Sequence, residues 1–234
     1  MRERETAGPR RRQGSVGGVN TLQDPKVTAV IDRMYAEASQ QMTQLQERGA
    51  QLVKATTAQE RADAFSDFYL PVTPESGRLL YTLVRGTRPG LVVEFGMSLG
   101  LSTIHLASAV RDNGVGRVVT TEMSAAKVAT ARSSFADVGL GDLITILEGD
   151  ATQTLAAIDE PVNFVLLDGW KDLYVPVLKL LEPRLSPGAL VVADNTGLAD
   201  AQPYVDYIRD PVNGYVGVSF PVRNHDAMEI SCRA

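Results

Sequence analysis

Two hundred and thirty-four residues, 44% of them hydrophobic, suffice to bury one sizeable α/β core and are too few for two full domains. Of 23 basic and 28 acidic residues, positions 1–20 hold five Arg and two Glu, so the rest of the chain is acidic; that argues against a nucleic-acid partner. No apolar run approaches the ~18 residues of a membrane span, a lone Cys232 excludes an intrachain disulfide, and His105 and His225 alone make no zinc cluster. The chain therefore reads as soluble and cytoplasmic, without membrane contact, and any bound metal would be a hard ion held by oxygen.

Residues 1–22 are expected to form a disordered basic tail. Arg10-Arg11-Arg12 precedes Gln13-Gly14-Ser15-Val16-Gly17-Gly18, where a twin-arginine signal would carry an apolar segment. Residues 23–234 are expected to form a single domain, with 23–88 as helices serving as a lid and 89–234 as an α/β core. Asp24 as N-cap and Pro25 at the first helical position open a helix to about Leu52 that carries Val27, Val30, Ile31, Met34 and Tyr35 at helical spacing. A short helix is predicted over Ala58 to Phe68, and a third, capped by Thr73-Pro74-Glu75, runs to Gly86 with Leu79, Leu80, Leu83 and Val84.

From Leu91 the rhythm becomes strand, turn, helix. Strands are predicted at Leu91 to Phe95, Arg117 to Thr121, Leu143 to Leu147, Asn163 to Asp168 and Ala189 to Ala193, with helices beginning near Gly100, Ser124, Thr152 and Leu173. Such alternation means βαβ units and a parallel sheet. After a helix near Ala201 to Arg209, Gly214 to Val222 and Ala227 to Cys232 read as two strands joined by Arg223-Asn224-His225-Asp226, a closing antiparallel hairpin.

The strand ends carry the chemistry, because ligands of open α/β sheets bind outside the carboxyl ends of the strands. The first strand runs into Glu94-Phe95-Gly96-Met97-Ser98-Leu99-Gly100-Leu101-Ser102, a glycine turn that either approaches a ligand or simply serves a tight connection. Ser98 breaks the dinucleotide pattern G-x-G-x-x-G, so a nucleoside without phosphates fits better than a pyrophosphate. Glu122 ends the second strand as a ribose-binding acid or a helix-capping one. Asp150, after the third, either accepts from an adenine amino group or N-caps the next helix. Asp168-Gly169-Trp170-Lys171-Asp172 places a carboxylate and an amine three residues apart, with Trp170 as a flat surface; the plainer alternative is an ion pair across a turn over a core Trp. Asp194-Asn195 at the neighbouring strand end adds two oxygen donors, and two carboxylates with an amide carbonyl suit magnesium.

Phe164 to Asn195 closely resembles the equivalent region of catechol O-methyltransferase and of the wider class of cation-dependent, S-adenosylmethionine-using O-methyltransferases that includes the plant caffeoyl-CoA enzymes. The likeness extends from about Pro71 to Asp194. It implies a Rossmann-like class I methyltransferase fold: a mostly parallel seven-stranded sheet, a C-terminal antiparallel hairpin and extra N-terminal helices. The motif E-x-G-x-x-x-G-x-S falls on Glu94, Gly96, Gly100 and Ser102, and the ribose acid on Glu122. Cofactor contacts are further implied at Val72, Ser98, Asp150, Ala151, Asp168 and Trp170. The implied metal ligands are Asp168, Asp194 and Asn195, for Mg2+, Mn2+ or Ca2+, and the implied catalytic base is Lys171. Three positions depart from the pattern. Ser98 stands where some members carry an aromatic residue, and Gly169 where the animal catechol enzymes carry His. The acid that holds a catechol hydroxyl falls at Phe220.

The resemblance implies Mg2+-dependent methylation of a catechol-like hydroxylated aromatic. Its alternatives are another natural-product acceptor or a non-catalytic cofactor-binding protein. A homodimer is expected on the ground that Val27, Val30, Ile31 and Met34 need a surface to cover them.

Overall fold

The computed structural model describes residues 20–52, 57–223 and 226–234, so residues 1–19, 53–56, Asn224 and His225 lie outside it. Among the described residues the strands are β1 (Leu91–Phe95), β2 (Arg117–Glu122), β3 (Ile144–Glu148), β4 (Val162–Leu167), β5 (Leu185–Ala193), β6 (Tyr215–Arg223) and β7 (Asp226–Arg233). They form one sheet in the order β3-β2-β1-β4-β5-β7-β6, parallel from β3 through β5 and antiparallel at β7 and β6. This is the mostly parallel α/β sheet with a closing hairpin that the apolar runs indicate.

Among the described residues the α-helices are α1 (Pro25–Leu52), α2 (Ala58–Ala64), α3 (Pro74–Thr87), α4 (Leu101–Asn113), α5 (Ala125–Asp137), α6 (Ala151–Thr154), α7 (Tyr174–Leu181) and α8 (Gln202–Arg209). They cover the sheet in two layers. Because side chains alternate along a strand, Val92, Val118, Phe164, Leu166 and Val192 pack against α1, α3, α4 and α5, whereas Val93, Val119, Val165, Leu167 and Val191 pack against α6, α7 and α8. Among the described residues no helix is long and apolar enough to cross a membrane.

Several boundaries differ from expectation. Of the tail expected over residues 1–22, residues 1–19 lie outside the described residues and 20–22 are ordered. Asn20 caps a 3-10 turn at Thr21–Gln23, and the Asp112 carboxylate accepts from both the backbone N–H and the hydroxyl of Thr21. Helix α2 stops at Ala64 rather than Phe68, the chain turning so that Phe65 and Phe68 meet edge to face at 6.4 Å. Leu143 belongs to a 3-10 turn, so β3 starts one residue late. β5 begins at Leu185, four residues early, because Leu185 pairs with Val162 across a register shift despite the Pro187-Gly188 pair.

The apolar stripe of α1 needs no second subunit. Val27, Val30 and Met34 are buried in the chain's own core, with Ile31 and Tyr35 packed against it. Exposed large apolar side chains gather instead on the edge strand β6, at Val216, Val218 and Phe220.

Candidate active site

Parallel pairing brings the acids together. Leu167 of β4 is level with Ala193 of β5, so Asp168 and Asp194 leave adjacent strands side by side. Both continue the ladder: Asp168 N–H donates to the Phe95 carbonyl at 2.8 Å and Asp194 N–H to the Leu167 carbonyl at 2.9 Å. Lys171 Nζ lies 3.5 Å from Asp168 Oδ1 and 5.1 Å from the centre of the Tyr174 ring. The Tyr174 hydroxyl donates to the Asp194 carbonyl at 2.9 Å. Burial pushes the Asp168 carboxyl well above the usual carboxylate range; Lys171 opposes that shift, and Asp194 and Glu94 add to it. Crowded, buried acids of this kind are relieved by a cation.

Asn195 turns at φ 55, and its amide nitrogen donates to Asp226 Oδ2 at 2.9 Å, leaving Oδ1 as the amide's acceptor. Two carboxylates and one amide oxygen form an all-oxygen set that fits a hard divalent ion. Among the described residues no group of three or more His, Cys, Asp or Glu side chains could hold a metal. A cation here would therefore depend on Asn195 and on ligands from outside the protein.

The glycine turn abuts this edge. Gly96 sits at φ 97, and a Cβ there would lie 2.5 Å from the Gly169 nitrogen and 2.6 Å from the Asp168 carbonyl carbon. Only glycine permits both that backbone and that approach. Glu94, a cofactor position by the resemblance, turns its side chain into the interior. It is fully buried, on the side of β1 that faces α4, and accepts hydrogen bonds from the hydroxyls of Ser102, Thr103 and Thr120. Ser102 is likewise spent on Glu94, at 2.6 Å, so the pair braces the turn from within. Gly100, at φ 93, is the N-cap of α4.

Glu122 turns its carboxylate onto backbone donors. It ends β2 and accepts backbone N–H groups from Met123, Ser124 and, at 2.8 Å, Ser98. Asp150 N-caps α6, accepting through Oδ1 from both the N–H and the hydroxyl of Thr152. Ala151 is buried as the first residue of that helix, and Val72 is buried in the segment before α3. That segment closes over the turn: Tyr69, Leu70 and Pro71 line a small pocket with Met97, Ser98, Leu99, Leu101 and Ser102.

Trp170 is held from the side of α2. The Arg61 guanidinium of α2 stacks over its ring at 4.8 Å and pairs with both carboxylate oxygens of Asp172, at 3.3 and 3.0 Å, while Phe65 meets the ring at 5.8 Å. Arg61, Tyr174, Asp226 and Lys127 escaped the sequence reading. For Lys127 a signal existed, since it shares a helical face with Ala131, Ser134 and Phe135, all buried. Arg61 and Asp226 lie in other segments and offer none.

The family described as "Methyltransferase domain" matches residues 93–196, which span the glycine turn through Asn195. A probable O-methyltransferase of Mycobacterium tuberculosis is 34% identical over 149 residues, 59% of this chain and 63% of the relative. Catechol O-methyltransferase B of Danio rerio is 28% identical over 62% of this chain and 56% of its own length. The chain thus spans less than two thirds of either relative. A crystal structure of an O-methyltransferase from Streptomyces achromogenes involved in tomaymycin synthesis, in complex with S-adenosylmethionine, superposes with a TM-score of 0.65. It is 22% identical and covers 86% of this chain and 98% of that one, which establishes the shared fold. In fold and in core sequence, the chain is similar to these O-methyltransferases, and its residues 93–196 match the methyltransferase-domain family.

Proposed function

We propose that this chain is a cation-dependent O-methyltransferase that moves a methyl group from S-adenosylmethionine to a hydroxyl of a catechol-like aromatic small molecule. The observation that carries the reading is Lys171 Nζ at 3.5 Å from Asp168 Oδ1, an amine beside two acids on the edge of the sheet against which the glycine turn packs. The turn from Gly96 to Gly100, with Ser98, Glu122, Asp150, Ala151, Val72, Asp168 and Trp170, surrounds the cofactor, and Glu94 and Ser102 brace it. Asp168, Asp194 and Asn195 hold Mg2+, Mn2+ or Ca2+, which when bound supplies positive charge favouring the ionised acceptor hydroxyl. Lys171 takes the hydroxyl proton. The acceptor oxygen then displaces the sulfonium in line, the O–C bond forming as the C–S bond breaks, and S-adenosylhomocysteine leaves.

The test is methyl transfer to a panel of catechols and monophenols, with and without EDTA. Activity should vanish in EDTA, and Lys171→Met should lower kcat by about 100-fold or more while S-adenosylhomocysteine still binds. Full activity in EDTA, or in Lys171→Met, refutes the mechanism.

Gly169 and Phe220 favour a second reading, in which the acceptor is another hydroxylated natural-product aromatic. Phe220 pairs with Met228 near the site end of the sheet and is about half exposed, with no acid to hold a second hydroxyl. Turnover of monophenols in preference to catechols would select it, and cofactor binding without any turnover would select a non-catalytic role. For assembly we keep a homodimer but move its seat to the β6 face, and a monomer mass in equilibrium sedimentation would refute it.

A further inference from the structure

Lys127 is a buried cation that the methyl-transfer mechanism does not use. It lies on α5, 4% exposed, and its Nζ donates to Ser98 Oγ at 3.0 Å. An ammonium has three donors, and among the described residues only this one finds a protein acceptor. Burial pushes its proton affinity down, and the charge of Glu122 opposes that shift. A methionine would fill the same space without losing hydration, so structure alone gives little reason for a lysine.

Its partner explains it. Ser98 sits at φ 51, in the left-handed region that side-chain-bearing residues rarely adopt. It is pinned at both ends: its N–H goes to Glu122 Oε2 at 2.8 Å and its hydroxyl takes Lys127. Glu122 is the acid read as the ribose contact, and its other oxygen is occupied by the N–H groups of Met123 and Ser124. Lys127, Ser98 and Glu122 thus join α5, the glycine turn and the end of β2 into one charged unit at the nucleoside end of the cleft.

We propose that Lys127 is a cofactor-positioning residue that, by holding Ser98 and balancing Glu122, sets the grip on the ribose half of S-adenosylmethionine. This rests on the O-methyltransferase reading. The test is calorimetric titration with S-adenosylhomocysteine, in EDTA, of the parent chain, Lys127→Met, Ser98→Ala, Glu122→Gln and the Lys127→Met/Glu122→Gln double variant, with melting temperatures for each. Lys127→Met should weaken binding about tenfold while its melting temperature holds or rises, a split that a purely structural lysine would not give. Ser98→Ala keeps the strained backbone and loses only the hydroxyl, so it should weaken binding in the same direction; it carries the test should Lys127→Met fail to fold. In the Glu122→Gln background the Lys127→Met effect should shrink, as coupled neighbours require. Affinities within about twofold of the parent for both Lys127→Met and Ser98→Ala, or effects that add in full, overturn the proposal. A folded parent that binds no S-adenosylhomocysteine overturns the O-methyltransferase reading and this inference with it.

Discussion

Replacing Gly169 by Ala tests how tightly the strand-end loop is packed. A Cβ at that position would lie 2.4, 2.5 and 2.7 Å from three atoms of the Phe95 ring, against the ~3.5–4.0 Å of an ordinary carbon contact, so about 1 Å of movement is required. Gly169 is not among the residues at positive φ, so the cost is steric alone. Phe95 has little room to retreat: it is 5% exposed and meets Tyr174 edge to face at 6.3 Å, and Tyr174 meets Tyr204 at 5.5 Å while holding the Asp194 carbonyl. Overpacking of this kind costs about 1–3 kcal/mol. At ~2–4 °C per kcal/mol for a chain of this size, the melting temperature should fall by about 2–12 °C. Thermal unfolding of the parent, Gly169→Ala, Phe95→Leu and the double variant measures it. Phe95→Leu should destabilise the parent but partly restore Gly169→Ala. The reasoning fails if Gly169→Ala melts within about one degree of the parent, or if the two losses simply add. The same contact explains why the His of the animal catechol enzymes has no place here: its Cβ would enter the Phe95 ring.

Two further predictions concern α2 and the buried acid. The Arg61–Asp172 pair is partly exposed and contributes about 0.2–1 kcal/mol after screening, with a similar contribution from the Trp170 stack, so Arg61→Ala should speed hydrogen exchange of α2 amides roughly 3–30-fold. Unchanged α2 exchange would show that the latch does not hold the helix. Burial raises the Glu94 carboxyl above its ordinary 4.5, so above that pH the native state binds more protons than the unfolded chain. The stability this gives is complete below about pH 4.5 and is lost as pH rises through the folded value. Glu94→Gln should therefore flatten the decline of stability as pH rises above about 4.5, measured by urea unfolding in EDTA; equal slopes would contradict the assignment.

What was legible in the chain follows a physical divide. Val92-Val93, Val118-Val119, Phe164 to Leu167 and Leu190 to Ala193 announce strands buried on both faces, and an acid after such a run can only lie at the sheet's edge, so Asp168 and Asp194 could be paired in advance. Glu94, one residue short of the strand end, obeys the period of two and turns toward α4, where the hydroxyls of Ser102 and Thr103, with that of Thr120 on β2, receive it; which acids of a strand face inward is settled by packing. β5 was cut short because Pro187-Gly188 mimics a turn, and only the pairing of Leu185 with Val162 shows otherwise. The α1 stripe was visible, but what covers it is a tertiary matter, and Val27, Val30 and Met34 found the chain's own core. Arg61 on Asp172, 111 residues apart, and Asp226 on Asn195, 31 apart, leave no local pattern.

The place of β7 in the sheet bears on the order in which the molecule comes together. β7 follows β6 in the chain yet lies between β5 and β6, so β6 has no neighbour until the hairpin folds back and inserts its second arm. The first residue of that arm, Asp226, is the one that fixes the amide of Asn195. Pairings between strands distant in sequence form slowly, because the intervening loop must close first. A nascent chain can thus complete its parallel half, glycine turn included, and still lack an oriented third oxygen donor. Under the proposed function, capacity for the nucleoside should appear before capacity for the cation.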